Sequence, residues 1–270
     1  LKEHWITPDT PIEQLSEQAV SWFLSYLKIY TSSTERLYTQ AVKGFYQYLA
    51  GENLSSINLP RLELLIRKRS RRTGVRLPQF PREDIENTLS FVNTLTNAEF
   101  SNSAERLRAY RDRAFLLTLA DTGLRVHEAC NMHRGDIDWN ESRALLIGKG
   151  NKQAVVRFSS HSLSALKDYL SLRASLDGVS GRPLPSLPLF ARHDKGAGKK
   201  IKPMTTSTGR NIVHQRVTQA LGEQTTGKIT PHSFRHYFVT VVLRSSGNLK
   251  LAQELARHKN IAVTQRYAHL

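Results

Sequence analysis

From Pro11 onward the apolar residues Ile12, Leu15, Ala19, Phe23 and Leu27 recur at helical spacing. Past the capping cluster Thr31, Ser32, Ser33, Thr34, the positions Leu37, Val42, Phe45 and Leu49 do so again. The pattern predicts two amphipathic helices packed as a hairpin. A third helix is expected to start near Pro60, a favoured first-turn residue. It runs through Leu62, Leu65 and Ile66 into Arg67, Lys68, Arg69, Arg71 and Arg72, until Thr73 and Gly74 break it. The segment from Gly74 to Pro81 carries two prolines and Arg76 and predicts an inter-domain linker, dividing the chain into residues 1–76 and 77–270.

Beyond the linker, Asp84 to Leu95 and Glu105 to Ala120 have helical periodicity. The second closes at Asp121-Thr122-Gly123, where glycine is free to take the left-handed cap, and another helix follows from Val126. Arg143 to Ile147 and Ala154 to Phe158 are short apolar runs joined by Gly148-Lys149-Gly150-Asn151-Lys152, which predicts a β-hairpin with lysines at its tip. Ser162 to Leu172 is expected to be helical. The Gly-, Pro- and Ser-rich stretch Gly178 to Pro188 and the lysine-glycine stretch Lys195 to Lys202 are expected as exposed, mobile loops. Helices resume at Thr208 to Leu221, Pro231 to Arg244 and Leu249 to Arg257, with a last short one holding Tyr267. The fold class is therefore mainly α with a small antiparallel β-sheet.

At 270 residues the chain can bury one large core or two modest ones, and 39% hydrophobic with 23% charged residues is ordinary for a soluble globular protein, with nothing to suggest a disordered or fibrous one. Net charge changes the picture more. A formal +16 is usually kept only where a polyanion neutralises it, which makes nucleic acid the leading partner. The run Arg67 to Arg72 fits a phosphate contact and a solvated helix end equally well. No uninterrupted apolar run is long enough to span a bilayer and no signal-peptide pattern is present, so a cytoplasmic, DNA-associated protein is expected. The single cysteine, Cys130, excludes an intramolecular disulfide and a cysteine-rich zinc site, and is expected to pack as a small hydrophobe. The chain opens on Leu1 and closes three residues after Tyr267, which suggests processed or trimmed termini.

Six residues stand in contexts that chemistry could use. Arg125 follows the glycine stop, leaving a helix junction, with Glu128 three residues on to orient it; alone it is better read as a structural ion pair. Lys149 stands between two glycines that allow close backbone approach, although most such tips are only turns. In Thr230-Pro231-His232-Ser233-Phe234-Arg235-His236, Thr230 caps a helix and Pro231 fills its first turn. His232 and Arg235 then share one face at a helix start that favours anions. The plainer reading is a core His232 with His236 on the surface. His258 is expected to end a helix as a favourable cap, and Tyr267 alone would be a packed aromatic.

Taken together, Thr122-Gly123-Leu124-Arg125-Val126-His127-Glu128, Gly148-Lys149-Gly150-Asn151-Lys152, His232-Ser233-Phe234-Arg235-His236, His258 and Tyr267-Ala268-His269 closely resemble the tyrosine recombinases of the phage-integrase family, especially the Xer-like members. The resemblance runs from about Leu77 to Leu270. It implies a two-domain DNA clamp, with a helical core-binding domain at 1–76 and a tyrosine-recombinase catalytic domain at 77–270. It also implies that Arg125, Lys149, His232, Arg235 and His258 surround a scissile phosphate that Tyr267 attacks, leaving a 3′-phosphotyrosyl link and a free 5′-hydroxyl. Lys149 resembles the general acid, His232 the residue that accepts or shares the tyrosine proton, and His258 the one that positions the phosphate. No metal or other cofactor is implied.

The function so implied is site-specific DNA recombination, in integration, excision or resolution. The partners are double-stranded DNA carrying a specific site, a homodimer on paired half-sites, a homotetramer in synapsis, and accessory proteins. A chain ending at Leu270, where many relatives continue into a docking tail, leaves the linkage between protomers open. Two alternatives stand beside this reading. A type IB-like topoisomerase uses similar tyrosine and arginine chemistry, and a DNA-binding module would carry the same residues unused.

Overall fold

In the computed structural model, which describes residues 7, 9–71, 81–148, 152–194, 196, 200–225 and 227–268, the chain divides into two units, Leu1–Arg76 and Leu77–Leu270. Each has its own apolar core. The expected linker falls at this division, and residues 74–80 of it lie outside the described residues.

The first unit holds α1 (Glu17–Tyr26), α2 (Ser32–Gly51) and α3 (Leu59–Arg69). The first helix expected from Pro11 is interrupted: Ile12–Gln14 form a short 3-10 turn, and α1 starts only at Glu17. The carbonyls at the break also accept from side chains elsewhere in the unit. That of Leu15 accepts from the Ser55 hydroxyl at 3.0 Å and that of Ser16 from the Tyr46 hydroxyl at 3.1 Å. Thr31 caps α2 and Asn58 caps α3, with Pro60 in its first turn. The expected two-helix hairpin is corrected to a three-helix packing in which α1 lies mainly on α3. The Glu17 carboxylate accepts the Asn58 N–H at 2.5 Å and draws the start of α3 towards α1.

The face of α2 turned inward also differs from the expected one. Glu35, Thr39, Tyr46 and Leu49 are buried, whereas Leu37 and Phe45 are exposed. Glu35 sets this rotation, because Lys28 donates to its carboxylate at 2.7 Å and Arg71 pairs with its other oxygen. The same ion pair explains why α3 stops at Arg69 instead of reaching Arg72. Ser70 is extended, and Arg71 turns back to Glu35 and to the Tyr30 carbonyl at 2.6 Å.

The second unit is built around α5 (Ser103–Thr122), whose residues from Ala114 to Ala120 are buried on every side. A helix apolar all round belongs inside a core. Around it lie α4 (Arg82–Thr94), α6 (Val126–Asn131), α7 (Ser160–Gly178), α8 (Thr206–Leu221) and α9 (Pro231–Ser246). Gly209 permits the close approach of α8, since a β-carbon there would lie 2.8 Å from Val126 and 3.0 Å from Phe115. The expected hairpin is present as β2 (Arg143–Gly148) and β3 (Lys152–Arg157). A two-residue strand β1 (Ile137–Asp138) extends it to an antiparallel sheet of order β1-β2-β3, with Ile137 opposite Ala144 and Leu145 opposite Val155.

The stretch from Gly178 to Pro185 is mostly exposed, as its composition predicts, but the end of the expected loop turns into the core. Leu187 and Leu189 are fully buried, and the buried Arg173 guanidinium donates to the carbonyls of Pro188 and Leu189 at 2.9 and 3.0 Å. Ile201, in the second expected loop, is buried too. Cys130 is buried as expected, and burial pushes its thiol up to about 11. The chain ends with α10 (Leu249–Leu255) and α11 (Ile261–Gln265). No helix among the described residues is long and apolar enough to cross a membrane.

Candidate active site

Gly123 is where the site begins. It closes α5 at φ 59°, and a β-carbon there would lie 2.3 Å from the Phe238 ring, so only glycine lets this turn rest against α9. Its carbonyl accepts from Arg235 Nη1 at 2.5 Å and from Arg257 Nη2 at 3.4 Å.

Two residues on, Arg125 is the N-cap of α6. Glu128 accepts its backbone N–H and its guanidinium, both at 2.8 Å, as the spacing suggested. Glu128 also accepts from Arg257 at 3.1 Å. Burial works against ionisation of that carboxyl, but the Arg125 backbone hydrogen bond and the charges of Arg257 and Arg125 prevail and hold it below the usual range. Arg125 itself stays largely exposed, free to meet an anion while its carboxylate partner orients it.

The start of α9 supplies the next group. The Thr230 N–H donates to Ser233 Oγ at 3.1 Å and Pro231 sits in the first turn, so His232 and Arg235 project one turn apart. Arg235 is 2% exposed and links two distant segments, donating to the carbonyls of Gly123 and Ala256. Burial, then the nearby charges of Arg125 and Arg257, bring its guanidinium down to about 10, so it remains a cation at neutral pH.

His258 lies beyond α10 rather than ending it. Arg257 takes the left-handed conformation at φ 56°, its N–H bonds the Glu254 carbonyl and that of His258 bonds the Gln253 carbonyl. This is a helix stop in which arginine stands where glycine is usual. His258 Nδ1 is 2.8 Å from Thr264 Oγ1, tying it to α11. Tyr267 is not within the last helix but in the turn just after it, its N–H on the Thr264 carbonyl.

The Tyr267 side chain is 3% exposed, packed with Val239 and Ala256 and flanked by Phe238 and Leu243. Its hydroxyl is hydrogen-bonded to Nδ1 of His236, and its ring stacks at 6.4 Å on that of His258. Burial pushes the phenol up to about 12, against the opposing charges of Arg235 and Arg266. His236 also meets His232 edge to face at 4.3 Å. It is therefore not the surface residue of the plainer sequence reading. Burial first, then neighbouring cationic groups, depress all three imidazoles: His236 and His258 to about 4, and His232 below its usual value. At neutral pH the three rings are uncharged and able to accept protons.

Of the six residues singled out in the sequence, the structure gathers Arg125, His232, Arg235, His258 and Tyr267. The sixth, Lys149, lies outside the described residues. Sequence reasoning missed His236 and Arg257. His236 had a signal, since it stands four residues after His232 and so shares its helix face. Arg257 had none, because its role depends on a left-handed backbone and a carboxylate 129 residues away.

The phage integrase family model matches residues 83–270. The chain is 30% identical over 262 residues to tyrosine recombinase XerC of Anoxybacillus flavithermus, covering 96% of this chain and 79% of that protein. To tyrosine recombinase XerC of Alcanivorax borkumensis it is 33% identical over 230 residues, covering 85% of this chain and 66% of the relative. Among solved structures, a XerH site-specific recombinase bound to a palindromic difH substrate, in a post-cleavage complex, superposes with a TM-score of 0.70 at 23% identity. That match covers 95% of this chain and 69% of the other and speaks for the fold.

Proposed function

The chain belongs to the phage integrase family, and from that premise we infer how it carries out site-specific DNA recombination: Tyr267 attacks a phosphate of double-stranded DNA gripped by Arg125 and Arg235. The observation that carries this reading is the position of Arg235, whose guanidinium joins the Arg125 turn to the segment leading into His258, with Tyr267 packed on the same helix.

A phosphodiester gains charge on its non-bridging oxygens as a nucleophile closes in, and two fixed guanidiniums stabilise that charge. Arg125 supplies the exposed one and Arg235 the buried one. His258 positions the phosphate, held by Thr264, and His232 stands beside Arg235 to share proton traffic. Lys149 protonates the departing 5′-oxygen, which would otherwise leave as a strongly basic alkoxide. The 3′-phosphotyrosyl link keeps the energy of the broken bond, so a 5′-hydroxyl from a second duplex reseals it without a cofactor. Because the Tyr267 ring is covered, DNA binding must shift the segment from Ile261 onward enough to admit the phosphate to the hydroxyl.

Residues 1–76 act as the core-binding domain and 77–270 as the catalytic domain of a clamp on DNA. Two copies bind paired half-sites and four form the synapse, with accessory proteins as further partners, in the DNA-associated cytoplasm. The test uses a nicked duplex bearing the site the protein selects from a randomised pool. The wild type is expected to form a denaturation-resistant adduct, and Tyr267→Phe to abolish it while keeping DNA affinity. An adduct that survives this change refutes the tyrosine assignment.

A further inference from the structure

We propose that His236, rather than His232, is the catalytic residue that takes the proton from Tyr267. This rests on the reading above, in which Tyr267 is the nucleophile. The hydrogen bond described for the Tyr267 hydroxyl runs to His236 Nδ1, and the two rings lie 5.2 Å apart. His232 meets the same imidazole edge to face, with ring centroids 4.3 Å apart, whereas the hydrogen bond to the phenol is made by His236. His258 stacks on the Tyr267 ring, but its Nδ1 is committed to Thr264.

The groups facing His236 keep it an acceptor. From its own helix these are His232 and Arg235, from the segment after α10 His258, and from the chain end Tyr267, itself under the charge of Arg266. Burial and the first two hold the imidazole down to about 4, so at working pH it is neutral with one proton, and the proposed role requires that proton on Nε2 with the Nδ1 lone pair facing the phenol. A phenol whose hydrogen points at Nδ1 still has an oxygen lone pair for phosphorus, so attack need not break this bond. In the step, the bond from Tyr267 Oη to phosphorus forms and the bond from phosphorus to the 5′-oxygen breaks. The phenolic proton passes to His236 Nδ1, and the 5′-oxygen takes a proton from Lys149. Resealing runs the same transfers backwards.

The same arrangement explains how a phenol pushed up to about 12 can act near neutrality. Its own ionisation is too rare there, and transfer to a neutral base during attack removes the need for it.

The experiment follows adduct formation by the full chain on the nicked selected duplex, from about pH 6 to about pH 9.5. His236→Gln keeps a hydrogen-bond acceptor but cannot take a proton. It is expected to bind DNA like the wild type, to react about 100-fold more slowly at neutral pH, and to recover as pH rises, whereas the wild type stays flat. His236→Ala is expected to regain rate when free imidazole is added. A His236→Gln rate within about threefold of wild type throughout overturns the proposal. So does a deficit that is constant with pH and not rescued by imidazole in the alanine variant. Should either variant fail to fold, nitrogen NMR of the wild type decides: an unprotonated Nδ1 on His236 supports the role, and a protonated one ends it. Tyr267→Phe is run in parallel, so failure of the nucleophile assignment is seen separately as an adduct that persists in that variant.

Discussion

At the scale of single residues, the site depends on a few backbone oxygens as much as on side chains. Gly123 presents its carbonyl to Arg235 and Arg257 from a left-handed turn pressed on Phe238. Gly123→Ala should lower stability by about 2 kcal/mol or more, since the left-handed conformation alone costs ~1–2 kcal/mol for other residues. Thermal unfolding checks this, and an unchanged melting temperature contradicts the tight packing. Arg235→Lys keeps the charge but cannot reach two carbonyls on different segments. Adduct formation should drop about 100-fold or more while DNA binding changes little. Equal activity in the lysine variant would mean that charge alone suffices.

Among the elements, the long periodic helices were legible in the chain, and the capping residue Thr31 and the first-turn prolines Pro60 and Pro231 marked their starts. The rotation of α2 was not. Apolar and aromatic residues occur all round it, and the choice between faces falls to Glu35, a charged residue that pattern reading places outside. Burial around Leu187 was hidden for a related reason, since its composition reads as loop while the distant Arg173 satisfies its carbonyls. The candidate site was legible as motifs in order. The contact between Tyr267 and His236 joins residues 31 apart in sequence and had to come from coordinates. Glu35→Gln should loosen the packing of α1, α2 and α3 by about 1–3 kcal/mol, discounted because its cationic partners are over a third exposed. Hydrogen exchange confined to these helices reads the effect, and unchanged protection would show the ion pair to be idle.

For the whole molecule, two bulk properties follow from charge. His236 and His258 titrate near 4 when folded and near 6.5 when unfolded, so between those values the unfolded chain binds more protons. Their contribution to stability is full above about pH 6.5 and is lost as pH falls towards 4. Melting temperature should therefore fall through this window, and less steeply in His236→Gln. A wild-type profile flat over the window contradicts neutral imidazoles in the fold. The formal charge of +16 predicts steeply salt-dependent DNA binding. Each phosphate neutralised should add about −0.9 to the logarithmic slope. Binding insensitive to salt would assign the basic surface to another role.

If Tyr267 is the nucleophile, one phenol becomes covalently joined to DNA, and the linkage itself can be identified. Adduct trapped on the nicked duplex is digested with protease and nuclease and the modified peptide sequenced by mass spectrometry. The expected product is a nucleotide joined through its 3′-phosphate to Tyr267, with a 5′-hydroxyl on the released strand. A nucleotide on any other residue, or a link through a 5′-phosphate, contradicts that assignment.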